Sequence, residues 1–97
     1  MKQHRYRITV EYLADADGNP QQREPLVFEA GNHDDIFAIL DMARSREPFD
    51  ADTTTALIVG HKLFGEVMLE NRKHPLFAEL WPHFLAYAKK LKAVVKP

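Results

Sequence analysis

The residues with the widest chemical reach in this 97-residue chain are its five histidines, because imidazole titrates near neutrality and is the commonest neutral metal ligand. His61 stands 13 residues before His74, and His74 nine before His83. None belongs to an H-E-x-x-H pair, which would set two imidazoles on one helical face. A ligand-binding site made from them would need the fold to draw His61, His83 and Glu66 together, with Asp34 as a further acid. Such a site would take a small ligand or a metal ion. The plainer reading gives each histidine a local hydrogen bond, with His33 beside Asp34 serving the electrostatics of a helix start.

Other chemistries find less support. General acid–base work needs two carboxylates in a cleft with separated proton affinities; Asp34/Asp35, Asp50/Asp52 and Glu66/Glu70 are available, but all fit solvated turns, caps or polar helix faces. The sole serine, Ser45, lies between two arginines, with no strand–turn–helix elbow to present it as a nucleophile. Gly60 and Gly65 have the spacing of the two glycines of a phosphate loop, but Glu66-Val67 stands where that loop requires Lys and Ser or Thr. A carboxylate there repels phosphate. Asp15-Ala16-Asp17-Gly18-Asn19 resembles the start of a calcium loop, although Pro20 follows and Leu26 occupies the place of its closing glutamate. The complete lack of cysteine removes disulfides, thiolate catalysis and Cys-ligated metal sites. No residue pattern implies a cofactor.

These groups must be positioned by whatever elements the chain can form. From Arg5 to Tyr12 the sequence alternates, placing Tyr6, Ile8, Val10 and Tyr12 on one face of a strand. Asp15 to Pro20 has turn composition, and Arg23 to Ala30 resumes as a strand with Leu26 and Phe28 inward. The pair predicts a β-hairpin with a long acidic loop. Asn32 is placed to cap a helix whose first turn is His33-Asp34-Asp35, with Ile36, Phe37, Ile39, Leu40 and Ala43 on its apolar side and Pro48 closing it. A second helix is expected from Ala56 to Asn71, with a third strand over Thr53 to Val59 as the alternative. Gly60 and Gly65 each cost such a helix about 1 kcal/mol relative to alanine. Pro75 suits a helical first turn, and Phe77, Leu80, Trp81, Phe84, Leu85, Ala88 and Leu91 recur at helical spacing around Pro82. Lys89, Lys90, Lys92 and Lys96 gather at the C-terminal end, where cations complement the helix dipole.

The overall class is an α+β domain occupying 1–97, an N-terminal antiparallel hairpin covered by about three helices. Phe28, Phe37, Leu40, Leu63, Phe64, Phe77, Trp81 and Phe84 are its expected core. The longest apolar runs, Ile36 to Leu40 and Phe84 to Ala88, span five residues, against about 20 for a transmembrane helix. The segment Met1 to Arg7 lacks the apolar core of a secretory signal, so a cytoplasmic protein is expected.

Net charge is −1, with +3 in residues 1–10, −8 in 11–52 and +4 in 53–97. That near balance argues against a nucleic-acid partner, whose phosphates call for an excess of cations. RNA contact would rest on Tyr6 between Arg5 and Arg7, with Tyr87 near Lys89 and Lys90. The basic ends and acidic middle suit opposite charges meeting within one monomer, or docking of one copy on another.

The run Val59-Gly60-His61-Lys62-Leu63-Phe64-Gly65-Glu66-Val67-Met68-Leu69-Glu70-Asn71-Arg72, with Pro75-Leu76-Phe77 and Trp81-Pro82-His83-Phe84 after it, resembles a family of small bacterial proteins that is a domain of unknown function. The likeness extends over nearly the whole chain, hairpin included. It implies a bacterial, stand-alone soluble domain and carries over no catalytic or binding residues. A two-stranded sheet is marginal alone and leaves open edges, so the expectation is a non-enzymatic interaction module that forms a homodimer. The alternative is a small-ligand or metal-binding regulatory domain using His61, His83 and Glu66.

Overall fold

Alternation at the N-terminus becomes strand β1, His4–Val10, paired antiparallel with β2, Leu26–Asn32, in the register Tyr6↔Ala30, Ile8↔Phe28, Val10↔Leu26. The computed structural model describes residues 2–95; Met1 of the N-terminal segment and Lys96 of the lysine group lie outside the described residues. Between the strands the Asp15 carboxylate accepts from the backbone N–H groups of Asp17 and Asn19 and from the Asn19 amide. These bonds, the Asn19 N–H foremost, hold its pKa below the usual carboxylate value. The acidic side chain that suggested a cation loop is thus occupied in closing its own turn.

Among the described residues four helices follow: α1 Ile36–Arg46, α2 Ala51–Glu70, the single turn α3 Pro75–Ala78, and α4 Leu80–Val95. The cap of α1 is Asp35, whose carboxylate accepts from Ala38 N, so the helix starts later than an Asn32 cap implied. Asn32 is instead the last residue of β2 and is buried. Helix α2 starts five residues before the expected Ala56 because Asp50 accepts from Thr53 N and caps it. Thr53 to Val59 is therefore helical, with Thr54 and Thr55 spending their hydroxyls on the carbonyls of Phe49 and Ala51. His74 caps α3 through its ring nitrogen, Pro75 takes the first turn, and Pro82 falls in the first turn of α4, where its missing N–H costs nothing.

The core differs from the aromatic set expected of it. Its centre is Ala43, Ile58 and Val95, one from each long helix, with Ile39, Leu40, Met42 and Leu91 packed around them. Ile36, Met68 and Phe77 are buried elsewhere. Of the expected core, Phe77 is buried and Leu40, Leu63, Trp81 and Phe84 are half-buried, while Phe28, Phe37 and Phe64 are exposed. Small and medium side chains let α1, α2 and α4 converge; the large rings fill the wider spaces beside them. Phe84 is the hub of those rings, facing His61, Phe64, Trp81 and Tyr87.

Strand β2 packs on α2, and burial along the hairpin falls away from that root: Asn32 is buried, Ala30 and Tyr6 are half-buried, and Val10 and Leu26 are exposed. The radius of gyration is 15.5 Å, where a compact chain of this length has about 12.5 Å. The accessible surface is 7595 Å², where a folded monomer of 11.2 kDa exposes about 5,700 Å². Among the described residues, no helix is long and apolar enough to cross a membrane.

Candidate functional site

Polar chemistry concentrates where the hairpin root meets α2. The turn from β2 into α1 is held by two side chains. Asn32 donates to the Lys62 carbonyl oxygen at 2.9 Å and accepts from Asp34 N at 2.9 Å. The Tyr6 hydroxyl donates to the Asp34 carbonyl oxygen and accepts from Ile36 N. That geometry brings Asp34 within 2.7 Å of the Lys62 ammonium and aims His33 at α2. His33 Nδ1 lies 2.8 Å from Glu66 Oε2 and its Nε2 3.4 Å from Asp34 Oδ2. Gln3 crosses over Gly31, where a Cβ would collide with it, and donates to Glu66 Oε1 at 2.8 Å and Glu70 Oε1 at 3.0 Å.

At its centre this network is satisfied, while its Glu70 edge borders an open pocket of about 670 Å³ lined also by Arg72 and Lys73. Glu66 has a side chain only 7% exposed, and both of its oxygens are engaged, one by Gln3 and one by His33. A buried carboxylate needs such partners to remain in place. Their effect is to fasten the hairpin root to the C-terminal half of α2. A general base, by contrast, needs an oxygen free to take a substrate proton.

Beside the network, a cleft of about 430 Å³ opens between α1, α2 and α4. Ile39, Met42, Ile58, Leu91 and Val95 wall it, and His61 and Lys62 stand along it. The His61 ring stacks on Phe84 at 5.2 Å and meets the edge of Tyr87 at 5.5 Å. Its Nδ1 is buried with no hydrogen-bond partner among the described residues. Burial among these rings lowers its pKa from 6.5, assisted by the Lys62 charge and opposed by Asp34.

Of the three residues singled out as ligand candidates, His61 and Glu66 both line a small pocket of about 230 Å³ with His33, Asp34 and Lys62, and His83 is not among its lining residues. His61 also lines the larger cleft, Glu66, five positions on and about 140° around the same helix, is engaged in the polar network, and His83 is exposed on α4. Among the described residues no group of three or more His, Asp or Glu is placed to hold a metal ion. The imidazole that does meet Glu66 is His33, 33 positions earlier. Nothing in the local pattern around His33 announces that contact, which arises only when the β2–α1 turn is laid on α2.

A second feature is apolar. Tyr6, Ile8 and Val10 share one face of the hairpin with Ala30, Phe28 and Leu26, and Phe37 at the start of α1 continues that face, its ring 6.2 Å from Tyr6. Phe37 is 68% exposed, Leu26 62%, Val10 52% and Phe28 42%. The opposite face carries Arg5, Arg7 and Glu29, joined in ion pairs, with Thr9 and Val27. On α2, α3 and α4, Phe64, Val67, Leu76 and Leu80 are exposed as well.

The family model of DUF3861, described as a domain of unknown function with solved structure, matches residues 4–93. A crystal structure of a protein of unknown function from Pectobacterium atrosepticum is similar to this chain at 39% identity and a TM-score of 0.82, covering 95% of this chain and 99% of that one. No curated protein matches.

Proposed function

The chain belongs to the DUF3861 family of domains of unknown function, and from that premise we propose that it is a cytoplasmic, non-enzymatic interaction module that works as a homodimer. The observation that carries this reading is surface left over after folding. The chain exposes roughly 1,900 Å² more than a monomer of its mass should. Obligate homodimers bury about 1,000 to 2,500 Å² from each subunit, so the excess equals what one stable self-interface removes. Isolated hairpins gain too little from their own two strands to stand uncovered in water. A second subunit supplies the missing cover. The buried Glu66 carboxylate supports the non-enzymatic part, because both of its oxygens are engaged in holding the hairpin root. Sedimentation equilibrium from about 1 to 100 μM tests the reading: a mass of two chains across that range is expected, and one chain throughout refutes it.

The cleft beside His61 favours a second reading, a regulatory domain for a small, largely apolar ligand with one polar group near His61 and Lys62. Thermal shift against a panel of amphiphilic metabolites and divalent metals tests it, since a ligand at 100 times its Kd adds about 2.7 kcal/mol to stability. A flat response across the panel removes this alternative.

A further inference from the structure

We propose that the second copy docks on the apolar hairpin face, with Ile8, Val10, Leu26, Phe28 and Phe37 of one subunit packed against the same residues of its partner. The inference rests on the homodimer reading and names the surface it uses. This face is the place where the fold most needs cover. Across Val10 and Leu26 the hairpin has outrun the helices, so on the apolar side of the cross-strand pairs Ile8↔Phe28 and Val10↔Leu26 only Ile8 is half-buried, and Phe28, Val10 and Leu26 stay exposed among the described residues. The exposed Phe64, Val67, Leu76 and Leu80 instead stand on α2, α3 and α4, helices already anchored by Met68, Phe77 and Val95.

The chemistry of the two hairpin faces points the same way. Charged groups on the strands lie on the Arg5–Arg7–Glu29 side, where Glu29 pairs with both arginines. Between Tyr6 and Val10, and between Leu26 and Ala30, the other side carries no charge. A patch that meets its own copy about a two-fold axis places each residue near its equivalent, so any net charge there would repel itself. An uncharged aromatic and aliphatic patch escapes that penalty and suits a self-complementary contact. Aromatic residues such as Phe28 and Phe37 are also the kind that anchor interface centres.

The test compares the wild type with Phe28→Glu and Leu26→Glu on the hairpin and Val67→Glu on the helical face, by sedimentation velocity, with circular dichroism to check helix content. Each hairpin variant should weaken the dimer about 30-fold or more, while Val67→Glu changes it by less than about threefold. A dimer that survives both hairpin changes but dissociates with Val67→Glu overturns the assigned surface and leaves the homodimer reading standing. A wild type that is monomeric overturns both and gives the face to another occupant. Should the hairpin variants lose their helical signal, a nitroxide on Thr9→Cys, on the polar hairpin face, decides the matter in the folded dimer. Mixed with unlabelled, nitrogen-15-enriched chain, it should broaden the amide signals of Val10, Phe28 and Phe37 in the partner. The same label on Leu76→Cys should leave them sharp, and the reverse pattern refutes the proposal.

Discussion

Replacing each of the two glycines of α2 by alanine isolates one packing contact from helix propensity. Both glycines lie inside the helix Ala51–Glu70, where alanine is favoured by about 1 kcal/mol. At Gly60 an added Cβ would meet nothing within 4 Å, so Gly60→Ala should keep the whole gain. For a domain of this size, 1 kcal/mol raises Tm by about 4–8 °C. At Gly65 the added Cβ would lie 3.1 Å from Cζ and 3.5 Å from Cε1 of Phe84. That ring must shift by a few tenths of an ångström, and it is hemmed in by His61, Phe64, Trp81 and Tyr87. Overpacking of this kind costs about 1–3 kcal/mol, enough to cancel or reverse the propensity gain. Gly65→Ala is therefore expected to melt at or below the wild-type Tm, and at least about 4 °C below Gly60→Ala. Melting followed by circular dichroism at one fixed protein concentration reads the difference without interference from self-association. Adding Phe84→Leu should shrink the gap between the glycine and alanine forms at position 65. Equal stabilisation at both positions would show that Phe84 does not rest on Gly65, and the account of the ring cluster would fail.

Two further expectations concern the hairpin root and the His61 cleft. Asn32→Ala strips partners from the Lys62 carbonyl and the Asp34 N–H at a buried position, and should cost about 1–3 kcal/mol in urea unfolding; a loss below about 0.5 kcal/mol would mean that this bridge does not hold the hairpin root. His61 should titrate below 6.5 in a proton NMR pH series, because burial disfavours its charged form. The unfolded chain then takes the proton first, so stability contributed by neutral His61 is present above pH 6.5 and declines as pH falls through 6.5 towards the folded value. His61→Phe should flatten that part of the stability profile, and an unchanged profile would assign the effect to another group.

Much of the architecture could be read before any coordinates because it rests on local rules. Alternation between Arg5 and Tyr12, turn residues from Asp15 to Pro20, and apolar spacing from Ile36 to Ala43 each encode an element within a few residues. The errors in local structure came where two local signals competed. Asn32 and Asp35 both make good helix caps, and the tie was broken by Asn32 reaching Lys62, 30 positions away. Thr53 to Val59 has the β-branched composition of a strand, but Asp50 caps a helix there and Ile58 is drawn into the joint of three helices.

The candidate site was far less legible. His61 and Glu66 drew notice by residue type, but their surroundings depend on which face of α2 each occupies: one among aromatic rings, the other against His33 and Gln3. The core departs in part from the expected one for a related reason: Phe77 is buried and Leu40 packs against the centre, but Phe28, Phe37 and Phe64 are exposed. Hydrophobicity says which side chains gain from leaving water, and size suggested the phenylalanines; the closest helix approach instead selected Ala43, Ile58 and Val95, since small residues let backbones come together and rings hold them apart.

From its residues alone this chain was bound to form a hairpin followed by amphipathic helices, and its want of cysteine and of reactive motifs already excluded thiolate and phosphate-loop chemistry. Tertiary structure alone decided that the polar groups of the hairpin root satisfy one another and that Val10, Leu26, Phe28 and Phe37 remain in water. The difference is physical: periodicity is a property of neighbours along the chain, whereas burial is settled only when distant elements compete for the same space, and here the helices are too few to reach the end of the hairpin.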